Sequence, residues 1–171
     1  MHKFARLVDS MSMMSGKLCA WLMFMVGFFI SYEVIMRYVF TSPTVWVDEI
    51  SRILLVWGTY LGGGYLIKTH GMVTIEVMFK SPNSLPRKLA ETVAIAVLLI
   101  FALTAAYFGY QLWWKSTLAG HTTDTYLAVP KAITHASIWC GFALMSLQGI
   151  VELWRVWTIG HCNRDILEGA E

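Results

Sequence analysis

Two groups of ionisable side chains sit where chemistry or recognition is possible, each at the edge of a long apolar run in this 171-residue sequence. Glu33 and Arg37 stand four residues apart with the acid first, the favourable order for an ion pair on a helix. The run Trp46-Val47-Asp48-Glu49-Ile50-Ser51-Arg52 repeats that spacing with Asp48 and Arg52, and sets Trp46, Glu49 and Arg52 at steps of three along one flank. A charge beside lipid is costly unless it is paired, hydrated or buried in protein. For Glu33 and Arg37 the sequence leaves two readings open, an internal pair whose arginine snorkels outward or a partner reaching a neighbouring helix or subunit. For the second group the alternatives are favourable charges at a helix start or a recognition surface. A self-sufficient proton-coupled transporter would need its carboxylate near mid-membrane. Glu33 is the one candidate for that role, and it lies well toward one end of its run with Arg37 as counter-charge.

Other chemistries find no support in the spacing. Cys19, Cys140 and Cys162 are isolated, without the pairing of a disulfide framework or zinc site. Gly16-Lys17 lacks the upstream glycine of a phosphate loop, and neither H-E-x-x-H nor G-x-S-x-G occurs. Four-helix membrane cytochromes make haem worth testing, but His70 and His135 fall at opposite ends of their apolar runs, and His2, His121 and His161 lie outside them. No enzyme activity, cofactor or metal is expected, and a net charge of +2 without a basic block argues against nucleic acid.

The elements that must position these charges are membrane helices. The chain is 57% hydrophobic and 14% charged, whereas a soluble domain has roughly 45–50% apolar and about 25% charged residues. Apolar runs long enough for a bilayer predict four spans, at about 18–38, 45–67, 90–114 and 131–153. The first run exceeds a signal peptide and no cleavage-like site follows it, so it is expected to persist. Ahead of it, Phe4, Leu7, Val8, Met11 and Met14 recur at helical spacing opposite Lys3, Arg6, Asp9 and Ser12, which predicts an interfacial helix over 1–16 on the cytoplasmic leaflet. The fold class expected is all-α, a single membrane domain over 1–171 with four transmembrane helices plus that N-terminal helix. Nine Lys and Arg residues fall on the side of both termini and four on the other, which places both termini in the cytoplasm. Trp21, Trp154 and Trp157 at one interface and Trp46, Trp113 and Trp114 at the other agree.

Ser42 is expected to cap the second helix with Pro43 as its first residue. Between 68 and 88, Ser81-Pro-Asn-Ser-Leu-Pro86 signals a turn. Gly58 and Gly62 form a G-x-x-x-G pair, continued by Gly63 and Gly64, which favours close helix packing within the chain or between subunits.

From about Phe29 to Trp154 the sequence resembles the small membrane subunit of tripartite ATP-independent periplasmic (TRAP) transporters, the DctQ-like family. The likeness is carried by Arg37-Tyr38-Val39-Phe40, Pro43, Trp46-Val47-Asp48-Glu49-Ile50-Ser51-Arg52, Val56-Trp57 and Leu61-Gly62. A second block, Tyr126-Leu127-Ala128-Val129-Pro130 with Gly141-Phe142-Ala143-Leu144-Met145, is similar to the family's outer loop and fourth helix. One departure is Met72, where the family often has a histidine ahead of an acid corresponding to Glu76; the nearest histidine here is His70.

The resemblance implies a subunit of a sodium-coupled importer in a bacterial inner membrane. A periplasmic binding protein would capture an organic acid such as a C4-dicarboxylate or sialic acid, and a large membrane subunit would carry it with this chain as scaffold. Glu33, Arg37, Trp46, Asp48, Glu49, Arg52, Gly58 and Gly62 are then the candidates for contact with the large subunit or membrane lipid. His121 and Asp124, in the loop from Lys115 to Lys131, are the candidates for docking the binding protein.

Overall fold

The computed structural model describes residues 2–69 and 85–158. Four helices make up most of them: α1 His2–Tyr38, α2 Val45–Lys68, α3 Leu85–Leu118 and α4 Lys131–Thr158. All four are long and apolar enough to cross a membrane, and among the described residues the one β feature is an isolated bridge between Thr122 and Pro130. The chain is therefore an all-α membrane protein, each span satisfying its backbone internally as lipid requires. His70, Met72, Glu76, residues 81–84 of the expected turn, His161 and Cys162 lie outside the described residues.

The connections 39–44 and 119–130 meet at one end of the molecule, and the start of α1 meets the end of α4 at the other. Packing runs from α1 to α2, from α2 to α4 and from α4 to α3, with a smaller contact between α1 and α4. The helices thus form an open row rather than a ring in which each would touch its two sequence neighbours. Its interior is α4, where 44% of the most apolar window is buried, against 6% in α1 and 11% in α3. Lipid gives apolar side chains no reason to associate, so helices hold together by close approach at small residues. Gly141 faces backbone as well as side chain: a Cβ there would lie 2.6 Å from the Tyr60 carbonyl oxygen of α2. Gly58 and Gly62 face Met23 and Cys19 of α1, so the chain's own first helix fills the G-x-x-x-G surface.

Two boundaries differ from the sequence expectation. Residues 2–16 are helical but not a separate element, because α1 continues without interruption to Tyr38. The Ser15-Gly16-Lys17 stretch does not end a helix. Ser15 Oγ donates to the Ser12 carbonyl at 2.8 Å, and Gly16 is small because the Tyr65 ring of α2 occupies the space of a Cβ. At about 1.5 Å per residue, the 37 residues of α1 extend for about 55 Å. The second helix begins at Val45 with Thr44 as its cap residue, two positions beyond the Ser42 cap expected. The reason lies in α1, where Glu33 binds Thr44.

Candidate functional site

The end carrying the two short connections is organised around two buried carboxylates. Glu33, 8% exposed on α1, accepts from the Arg37 guanidinium at 2.9 Å. Its other oxygen accepts the Thr44 backbone N–H at 3.0 Å and the Thr44 hydroxyl. A side chain from the preceding helix thereby binds a backbone donor at the start of α2, while the Thr44 side chain makes no cap bond of its own. Both sequence alternatives hold at once: the ion pair is internal to α1, and the acid also reaches the next helix.

Glu49, 7% exposed, accepts the Leu127 N–H with both oxygens at 3.2 Å. It ties α2 to the far connection. That connection is itself ordered by Thr123 N–H to the Val129 carbonyl at 2.9 Å and Lys131 N–H to the His121 carbonyl at 2.9 Å, with Ala128 at φ 46°. Asp48 and Arg52 instead pair at 2.9 Å with side chains 58% and 73% exposed. The flank read as one surface is therefore split, Glu49 pointing inward and Arg52 outward. Trp46 packs edge-on against Phe29 with centroids 6.3 Å apart and lies 6.4 Å from the Tyr32 ring.

These residues line a cleft of about 530 Å³, in which Glu33, Arg37, Asp48, Glu49 and Arg52 are joined by Thr125 and Tyr126 of the far connection. His121 and Asp124 do not line it; both are exposed, with the Asp124 carboxylate 4.0 Å from Lys131. A second groove of about 380 Å³ runs between α1 and α2, lined by the apolar Val26, Ile30, Val34 and Leu55 and by Arg37 and Arg52. His135 exchanges a 2.9 Å hydrogen bond with Ser116. Among the described residues no cluster of His, Cys, Asp and Glu has metal-binding geometry.

A second polar assembly, at the opposite end, was missed by sequence reasoning. Ser12 and Gln148 are fully buried and Glu152 is 2% exposed. Ser12 Oγ donates to Gln148 Oε1 at 2.8 Å, and Gln148 Nε2 donates to Asp9 Oδ1 at 3.0 Å. Arg155 donates to Glu152 at 2.8 Å and to Asp9. The available signal was the i,i+4 spacing of Gln148 and Glu152 at the end of an uncharged run. Its partners on α1 are too distant in sequence for spacing to indicate.

The geometry is that of a small helical membrane unit with charged struts at both ends, and comparison with known proteins agrees. Residues 25–159 match the family model described as tripartite ATP-independent periplasmic transporters, DctQ component. The C4-dicarboxylate TRAP transporter small permease protein DctQ of Vibrio cholerae is 23% identical over 147 residues, covering 74% of this chain and 63% of that protein. A Mycobacterium leprae protein described as "Probable low-affinity inorganic phosphate transporter" is 30% identical over 128 residues, covering 70% of this chain and 29% of that one. The chain thus spans less than two thirds of the length of either relative. With most of its residues inside the family match, this chain belongs to the DctQ component family of TRAP transporters.

Proposed function

We propose that this chain is the small permease subunit of a TRAP system that imports an organic acid, a C4-dicarboxylate or a sialic acid, on a sodium gradient. Its partners are a large membrane subunit and a periplasmic binding protein. It resides in a bacterial inner membrane with both termini cytoplasmic, as the bias of Lys and Arg toward the terminal side favours.

One observation supports a scaffold over a carrier: the stretches 18–32, 53–67, 92–114 and 136–151 contain no Asp, Glu, Lys, Arg or His. A self-sufficient proton-coupled transporter needs a titrating group along its path. Glu33, the candidate for that role, is instead bound to Arg37 and Thr44 at the connection end. The exposed charges Arg37, Asp48 and Arg52 around the cleft offer the large subunit or lipid headgroups a polar contact. His121 and Asp124 stand on the same side and are the proposed contacts for the binding protein.

Reconstitution into proteoliposomes tests the reading. Sodium-dependent uptake is expected when this chain, the large subunit and the loaded binding protein are all present. Uptake by this chain without the large subunit contradicts the scaffold role, and undiminished uptake without this chain removes the requirement for it.

A further inference from the structure

The long first helix has one face more than the fold uses. Ala5, Val8, Ser12, Ser15, Val26 and Glu33 make its inward track and are buried. Beside that track runs a stripe of large apolar side chains at alternating steps of three and four. It begins Phe4, Leu7, Met11, Met14, Leu18, Trp21 and continues in the same register to Ile35, with every member exposed. A repeat of 3.5 residues is the signature of left-handed helix pairing, because it keeps one seam facing a partner over many turns.

The hydrocarbon core of the bilayer does not cover the whole stripe. About 20 helical residues cross the hydrocarbon core, and counting back that far from Glu33 leaves Phe4, Leu7 and Met11 beyond it. Those three are 54%, 58% and 45% exposed. Nor is this part of α1 free to lie down on the leaflet. Asp9 is bound to Arg155 and Ser12 to Gln148, while Ala5 and Val8 pack with Val151. A second copy of the chain fits poorly. Lys3 and Lys17 flank the stripe, and the positions a parallel copy would present to them are occupied by Val8 and Leu22, neither of them acidic.

We propose that this stripe is a docking seam for a helix of a different chain, one that crosses the membrane and runs on past it alongside the start of α1. That helix is apolar at matching three-and-four spacing and acidic where it passes Lys3 and Lys17. The seam rests on the proposed function for the identity of its occupant, a helix of the large membrane subunit.

Photo-cross-linking in the full chain, co-expressed with the large subunit, tests it. Probes at Leu7, Met11 and Met14 are expected to form adducts with the large subunit, whereas probes at Arg6, Ala20 and Gly27 on the adjoining exposed face give few. In parallel, Leu7→Lys combined with Met14→Lys is expected to lower recovery of the large subunit about tenfold or more, since the seam would then hold unpaired charge. The variant's own thermal unfolding should match wild type, because neither residue packs inside the chain. Stripe adducts with lipid only, adducts between two copies of this chain, or wild-type recovery by the double variant would each overturn the seam. If the unmodified chain recovers no large subunit, the functional reading fails and the seam with it; recovery without stripe adducts overturns the seam while leaving that reading intact.

Discussion

Glu49 and Arg52 lie three residues apart on one helix start, yet the fold gives them different work. The Glu49 carboxylate is buried and is the acceptor for the Leu127 N–H, so removing it leaves a donor without its partner. A lost bond of this kind costs about 1–3 kcal/mol. Glu49→Ala is expected to lower the thermal midpoint in detergent and to speed amide exchange around Leu127. Arg52 shares an exposed ion pair with Asp48, a class of contact worth about 0–1 kcal/mol. Arg52→Ala should therefore unfold at the wild-type temperature, and any fall in co-purification with the proposed large-subunit partner then reports on the interface itself. Equal melting losses in the two variants would refute the division between internal strut and external contact.

At the scale of elements, the seams between helices depend on where a side chain is absent. A methyl group at Gly141 meets the Tyr60 backbone, which cannot rotate away, whereas one at Gly27 finds nothing within 4 Å. Gly141→Ala is expected to destabilise by about 1–3 kcal/mol, the usual range for overpacking. Gly27→Ala should be neutral or slightly stabilising, since alanine favours helix over glycine by up to about 1 kcal/mol. Thermal unfolding of the two variants side by side checks this, and equal stability would mean α2 and α4 are not packed as closely as described. The same logic explains why α1 runs on through Gly16, although an interfacial helix over 1–16 and a separate span from 18 were expected. A glycine in a sequence marks either a weak point in a helix or a close neighbour, and the Tyr65 ring decides for the second.

The whole molecule is an open row of helices fastened at its two ends. Glu49 joins α2 to the α3–α4 connection, and Asp9 with Arg155 joins the start of α1 to the end of α4. Removing one member of a buried charged network is costlier than replacing the network, because the remaining charges lose their partner while staying out of water. Arg155→Met is expected to destabilise by about 3–5 kcal/mol and to release residues 2–16 to faster amide exchange. Adding Asp9→Asn and Glu152→Gln should recover most of the thermal stability. If the single and triple variants melt alike, the assembly is not a coupled network.

The amino-acid sequence by itself determined the solvent, the class and the clustering of charges at one end of the first two spans. Length and apolar content require lipid around the chain, and runs of about 20 apolar residues define helices without reference to any neighbour. Glu33, Arg37 and the Trp46–Arg52 segment were legible because charges in such a background stand out locally. Which of them turn inward was not legible. Glu49 bonds a residue 78 positions away, and Ser12 bonds one 136 positions away. No period along one helix encodes a partner on another. Only the tertiary structure decided that two glutamates are internal struts, that the G-x-x-x-G face is occupied from within, and that α1 keeps an apolar stripe uncovered. Burial is a property of how helices are arranged, and the same residue pattern is compatible with several arrangements.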